Sequence, residues 1–142
     1  MCVRYVVRLL FFISTMLLVS QPARSEEGDF SGQWDQTHSD IGPCGKCRVG
    51  IVRHGRFMTI SANNGWSATA ETSRNGNVNY AVGAGRWSAQ TGVYVSKPFD
   101  IFLAVDGNRL MIIMAIGKAD GSKQPIKALF SRKPIKFLND KT

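Results

Sequence analysis

Two cysteines three positions apart, in Cys44-Gly45-Lys46-Cys47, are the residues of this chain whose type and spacing point most directly to chemistry. Three chemistries fit them. In an oxidising compartment two such thiols bond to each other, and Gly42, Pro43 and Gly45 supply the turn that so short a bridge needs. As a redox couple the pair requires its first thiolate at a helix N-terminus within a βαβ setting. Here Gly42-Pro43 precedes the motif and a strand-like run, Arg48 to Arg53, follows it, although Lys46 and Arg48 favour a thiolate. As a metal site the pair would recruit His38 and His54, which flank it, into a Cys2His2 set that suits zinc but is not spaced like a zinc finger. A structural disulfide between Cys44 and Cys47 is the expectation, and a thiol-handling or metal-handling role is the alternative.

Other catalytic patterns are missing. The chain has no Gly-x-Ser-x-Gly elbow, no His-Glu-x-x-His helix and no glycine-rich loop opening a helix. Asp106 and Asp120 stand in turn contexts, and spacing does not pair Glu71 with Asp100. The expectation is a non-catalytic protein without a cofactor.

The elements that must position these residues are strands. Apolar residues recur with period two: Phe30, Gly32 and Trp34 share a face, as do Val49 and Ile51, then Met58, Ile60 and Ala62, then Trp66, Ala68 and Ala70. The alternation continues through Val78, Tyr80 and Val82, through Phe99 to Val105, Leu110 to Ile116, and Ile126, Ala128 and Phe130. Turn residues separate the runs at His54-Gly55, Asn63-Asn64-Gly65, Arg74-Asn75-Gly76-Asn77, Thr91-Gly92, Asp106-Gly107-Asn108 and Asp120-Gly121. Such glycines supply the positive φ of tight hairpins, so consecutive strands should be neighbours. About eight strands joined this way predict an all-β, up-and-down antiparallel barrel, since closure removes exposed edges. A two-layer sandwich is the other arrangement the pattern allows. Gly32-Gln33-Trp34 is echoed by Gly85-Arg86-Trp87, which raises either an internal duplication or convergence of two hairpins.

Residues 1–25 have the form of a helical signal peptide: Arg4 and Arg8, an apolar run from Leu9 to Val19, and small residues at Ala23 and Ser25 that place cleavage before Glu26. The expectation is export to a periplasm or to the outside of the cell. The barrel domain is then 26–132 and a basic tail is 133–142. The formal net charge of +8 falls to about +5 without Arg4, Arg8 and Arg24. That excess favours anionic partners without selecting a specific nucleic acid, since the cations are scattered along the strands. In the tail, Lys133, Lys136 and Lys141 mix with Ile135, Phe137 and Leu138, a composition suited to weak binding at an anionic surface or to packing along the barrel.

Gly32-x-Trp34 on the first strand, a compact antiparallel barrel and Arg132 at the end of the last strand together resemble the calycin group of lipocalins, avidins and bacterial metalloprotease inhibitors. The resemblance implies that Trp34 closes one end of the barrel with Arg132 across it, a guanidinium stacked on an indole. It also implies a binding or inhibitory protein that holds a small apolar ligand or a partner protein. Trp66, Trp87, Tyr80 and Phe99 are the candidates to line a ligand cavity, although in a small barrel such side chains usually fill the interior. The chain is short for a lipocalin, and Cys44 and Cys47 close a shorter loop than the inhibitors' disulfide.

Overall fold

The computed structural model describes residues 29–88 and 96–132. The leader, the Thr91-Gly92 turn and the tail from Lys133 lie outside the described residues. Eight strands run in order: β1 (Gly32–Ser39), β2 (Arg48–His54), β3 (Phe57–Ala62), β4 (Trp66–Asn75), β5 (Val78–Trp87), β6 (Pro98–Asp106), β7 (Arg109–Gly117) and β8 (Lys123–Arg132). Each pairs antiparallel with the next, and β8 pairs back onto β1, so the sheet closes as an up-and-down barrel. Closure leaves no strand edge open.

The expected hairpin signals are used as such. Gly55, Gly65, Gly76, Gly107 and Gly121 all hold positive φ, between 56° and 100°. In these tight reversals a side chain would clash with the backbone. The turns alternate between two ends of the barrel. One end carries the β2–β3, β4–β5 and β6–β7 turns, the start of β1 and the end of β8. The other carries the β3–β4 and β7–β8 turns and the loop between β1 and β2 that holds the cysteines.

Alternate residues of every strand point inward, and the interior is apolar throughout. Trp34, Ile60, Leu103 and Leu110 have no measurable exposure, and among the described residues no polar or charged side chain is buried. Burial of this size is what closes so small a barrel.

On β5 the inward row is not the one expected. Val78, Tyr80 and Val82 share a face, but it is the outer one: Val78 and Val82 are 53% and 49% exposed. The inward row is Ala81, Gly83 and Gly85, with Ala81 opposite the buried Leu103. The reason is space. A Cβ on Gly83 would lie 1.9 Å from the carbonyl oxygen of Thr69, and one on Gly85 would lie 2.5 Å from the ring of Phe99. Because strand faces alternate, reserving the inner positions for glycine sends every large side chain of this stretch outward. Tyr80 is therefore no part of an internal cavity; it stacks on Phe102 outside the barrel, ring centroids 6.0 Å apart.

The echo between Gly32-Gln33-Trp34 and Gly85-Arg86-Trp87 does not survive in space. Trp34 lies near the start of β1 and Trp87 ends β5, at opposite ends of the barrel, although both strands run the same way.

Candidate functional site

Cys44 and Cys47 lie at disulfide distance, with Cα atoms 5.3 Å apart, in the loop between β1 and β2. The loop is held from both sides. The Cys47 carbonyl accepts from the Gln36 N–H at 2.9 Å. The side chain of Asn63, in the β3–β4 turn, donates to the Lys46 carbonyl at 2.7 Å and accepts from the Arg48 N–H at 2.8 Å. Read from sequence, Asn63 is a turn former; in the fold its amide also clamps the cysteine loop to the neighbouring hairpin. Arg48, a candidate to activate a thiolate, instead donates to Asp35 at 2.7 Å.

The Cys2His2 set does not assemble. His54 ends β2 at the opposite end of the barrel from the cysteines, separated by the length of that strand, about 20 Å at the usual rise per residue. His38 is exposed on β1, with Nε2 3.7 Å from Asp40. Among the described residues no three of His, Cys, Asp or Glu gather closely enough to hold a metal ion. Nearness in sequence to the cysteines misleads here because an extended strand carries His54 away from them.

Below the cysteine loop, Trp66 and Trp87 are cross-strand partners, and Trp66 meets Phe99 edge to face with centroids 5.8 Å apart. Of the four cavity candidates these three do come together. Trp66 and Trp87 line a gap of about 30 Å³ at this end, close to the volume of a single water.

The other end is shut by Phe30, Trp34 and Arg132. The Arg132 guanidinium lies 4.3 Å from the centre of the Trp34 ring and donates to the Asp29 carbonyl. The Trp34 indole N–H donates to the Phe30 carbonyl at 2.8 Å, which draws Phe30 under the barrel as a plug. Trp34 and Arg132 are thus stacked on each other at this end of the barrel.

Among the described residues the one clear pKa shift is at Asp120, whose carboxyl is held below the usual aspartate range because the Ser122 hydroxyl and N–H both donate to it. It is an exposed turn, and the shift is that of a turn-capping carboxylate.

What sequence reasoning missed is the outer wall of β5 to β8. Across those strands, Tyr80, Ala104, Met111 and Leu129 form one row and Val82, Phe102 and Ile113 the next, ending at Lys127. Ala84 and Ala115 continue the wall beside Asp100. Two depressions, of about 640 and 520 Å³, lie along it. The signal was present in the sequence. Phe99 to Val105 and Leu110 to Ile116 are apolar at nearly every position, which is the mark of strands covered on both faces, not one. The outer walls of β3 and β4 are more polar, with Thr59, Ser61, Ser67 and Thr69 exposed, although Phe57 at the start of β3 is also exposed, with the Arg56 guanidinium over its ring.

Comparison with protein-family models, with curated proteins and with solved structures finds no match for this chain.

Proposed function

We propose that this chain is an exported, non-catalytic barrel that works as a binding protein through its outer surface. One observation carries this reading: among the described residues the interior is lined by packed apolar side chains, whereas the outer faces of β5 to β8 present apolar side chains that are exposed or only partly buried. A small-ligand site normally needs a concave space of about 300 Å³ or more, and the gap beside Trp66 and Trp87 is about a tenth of that. An apolar ligand inside the barrel is thus the less favoured form of the binding role.

The non-catalytic part rests on the sequence, which carries no Gly-x-Ser-x-Gly elbow, no His-Glu-x-x-His helix and no glycine-rich loop opening a helix. The calycin resemblance fits the reading through the Trp34–Arg132 closure. The thiol-handling alternative is less well supported, since no helix N-terminus adjoins Cys44 and Arg48 is engaged by Asp35.

Native and denaturing mass spectrometry of the protein purified from its own compartment tests the reading. The expected species begins at Glu26, lacks two hydrogens for the Cys44–Cys47 bond and carries no small molecule. A stoichiometric ligand released only on denaturation would overturn the surface reading, and reduced thiols with bound zinc would overturn the disulfide.

A further inference from the structure

We infer that the outer wall of β5 to β8 is a site for an anionic lipid surface, against which the barrel lies on its side. The inference rests on the surface-binding reading and names its partner. Three properties of the wall select that partner: its charge, its chemistry and its curvature.

Charge comes first. Arg86, Lys97, Arg109, Lys118, Lys123 and Lys127 belong to these strands and their turns, against Asp100, Asp106 and Asp120, while Asp40 beside the end of β1 accepts from the Lys127 backbone N–H at 3.3 Å. Two of the three carboxylates are engaged locally, Asp100 with Lys123 and Asp106 with Arg109. Among the described residues Arg86, Lys97, Lys118 and Lys127 have no carboxylate at ion-pair distance. Most of them rim the wall at the end that carries the cysteine loop. Long cationic side chains at the margin of an apolar face can lay their stems along it and reach phosphates with their heads. A second copy of this chain would instead bring like charges together.

The chemistry of the wall is non-directional. Its central rows offer aliphatic and aromatic groups, the Tyr80 hydroxyl and little else for hydrogen bonding, and barrel closure has already paired the backbone. A protein interface of ordinary size uses about ten direct hydrogen bonds for register. A fluid apolar phase needs none. The stacked Tyr80 and Phe102 have the amphipathic character favoured where acyl chains meet head groups.

Curvature decides between a rigid and a yielding partner. Four of eight strands span a convex half-cylinder, and the apolar rows cover about 14 Å along the strands, two steps of alternate residues. A flat rigid surface would touch only β6 and β7, whereas head groups part around a convex wall that enters by about 5–10 Å. The outer faces of β3 and β4, polar apart from Phe57, then remain in water, so the barrel rests on the bilayer without spanning it.

The test uses the chain from Glu26 to Thr142 in co-sedimentation with vesicles of phosphatidylcholine alone or mixed with phosphatidylglycerol. Expected is binding to the mixed vesicles that weakens as salt is raised and is far weaker on phosphatidylcholine. Phe102→Ser combined with Ile113→Ser should lower it by at least about tenfold, since each buried apolar side chain contributes about that factor or more. Val82→Thr, nearly isosteric, should give a smaller loss and guards against misfolding; circular dichroism must match the parent in both. Binding that survives these changes but disappears when 133–142 is deleted would overturn the inference in favour of the tail. A dimer in sedimentation equilibrium that the same substitutions dissociate, with no vesicle binding, would overturn it in favour of a second copy. Absence of vesicle binding by a monomer would overturn it also; the surface-binding reading would then survive only if a protein partner from the same compartment bound the parent and not the wall variant.

Discussion

Cys44 and Cys47 are restrained more by their surroundings than by each other. The bridge closes a loop of a few residues, and so small a loop removes little entropy from the unfolded chain. Asn63 and Gln36 hold the same loop by hydrogen bonds to Lys46, Arg48 and Cys47. Replacing both cysteines by serine should therefore lower stability by only about 1–2 kcal/mol, with the barrel intact by circular dichroism and the loss read from urea midpoints. Insulin-reductase turnover by the parent at a relatively oxidising potential would contradict a purely structural bridge. The role of Asn63 was not legible, because a residue that follows a strand before Gly65 looks like any turn asparagine until the cysteine loop is folded against it.

At the scale of the strand, β5 shows how a local pattern can be right in period and inverted in facing. Its alternation was legible; its orientation depended on the close approach of the β4 backbone at Gly83 and Gly85, and of the Phe99 ring at Gly85, where a Cβ has no room. Gly85→Ala should push a methyl group into the Phe99 ring and the Ser67 carbonyl, at a cost of about 3 kcal/mol. Ala84→Ser, one residue away but facing out, should change stability by less than about 0.5 kcal/mol. Thermal denaturation of the two variants separates them, and equal losses would show that the facing of β5 is not as described. Gly83 and Gly85 are ordinary strand-weakening residues by propensity alone; their necessity lies in distances between strands.

Across the whole molecule, closure is made at one end by contacts that join the first and last residues of the barrel. Trp34 lies beneath Arg132, and Arg132 reaches the Asp29 carbonyl across the seam between β1 and β8. Trp34→Ala should cost about 3–5 kcal/mol through the cavity it leaves and the loss of the stacked guanidinium. Arg132→Ala removes the stacking and one hydrogen bond but no core volume, so about 1–2 kcal/mol is expected. Denaturation midpoints of the two variants near that of the parent would contradict this account of the seam. The sequence by itself determined the all-β class, the eight strands and their tight turns, because period-two alternation and positive-φ glycines act within a few residues along the chain. It also singled out Trp34 with Arg132 and the cysteine pair. Only the tertiary structure decided which face of β5 is inside, that His54 stands a strand's length from the cysteines, that Trp66, Trp87 and Phe99 come together at one barrel end, and that Phe102 and Ile113 belong to one open wall. Those outcomes depend on which strands become neighbours and how closely they approach, quantities that no short window of sequence contains.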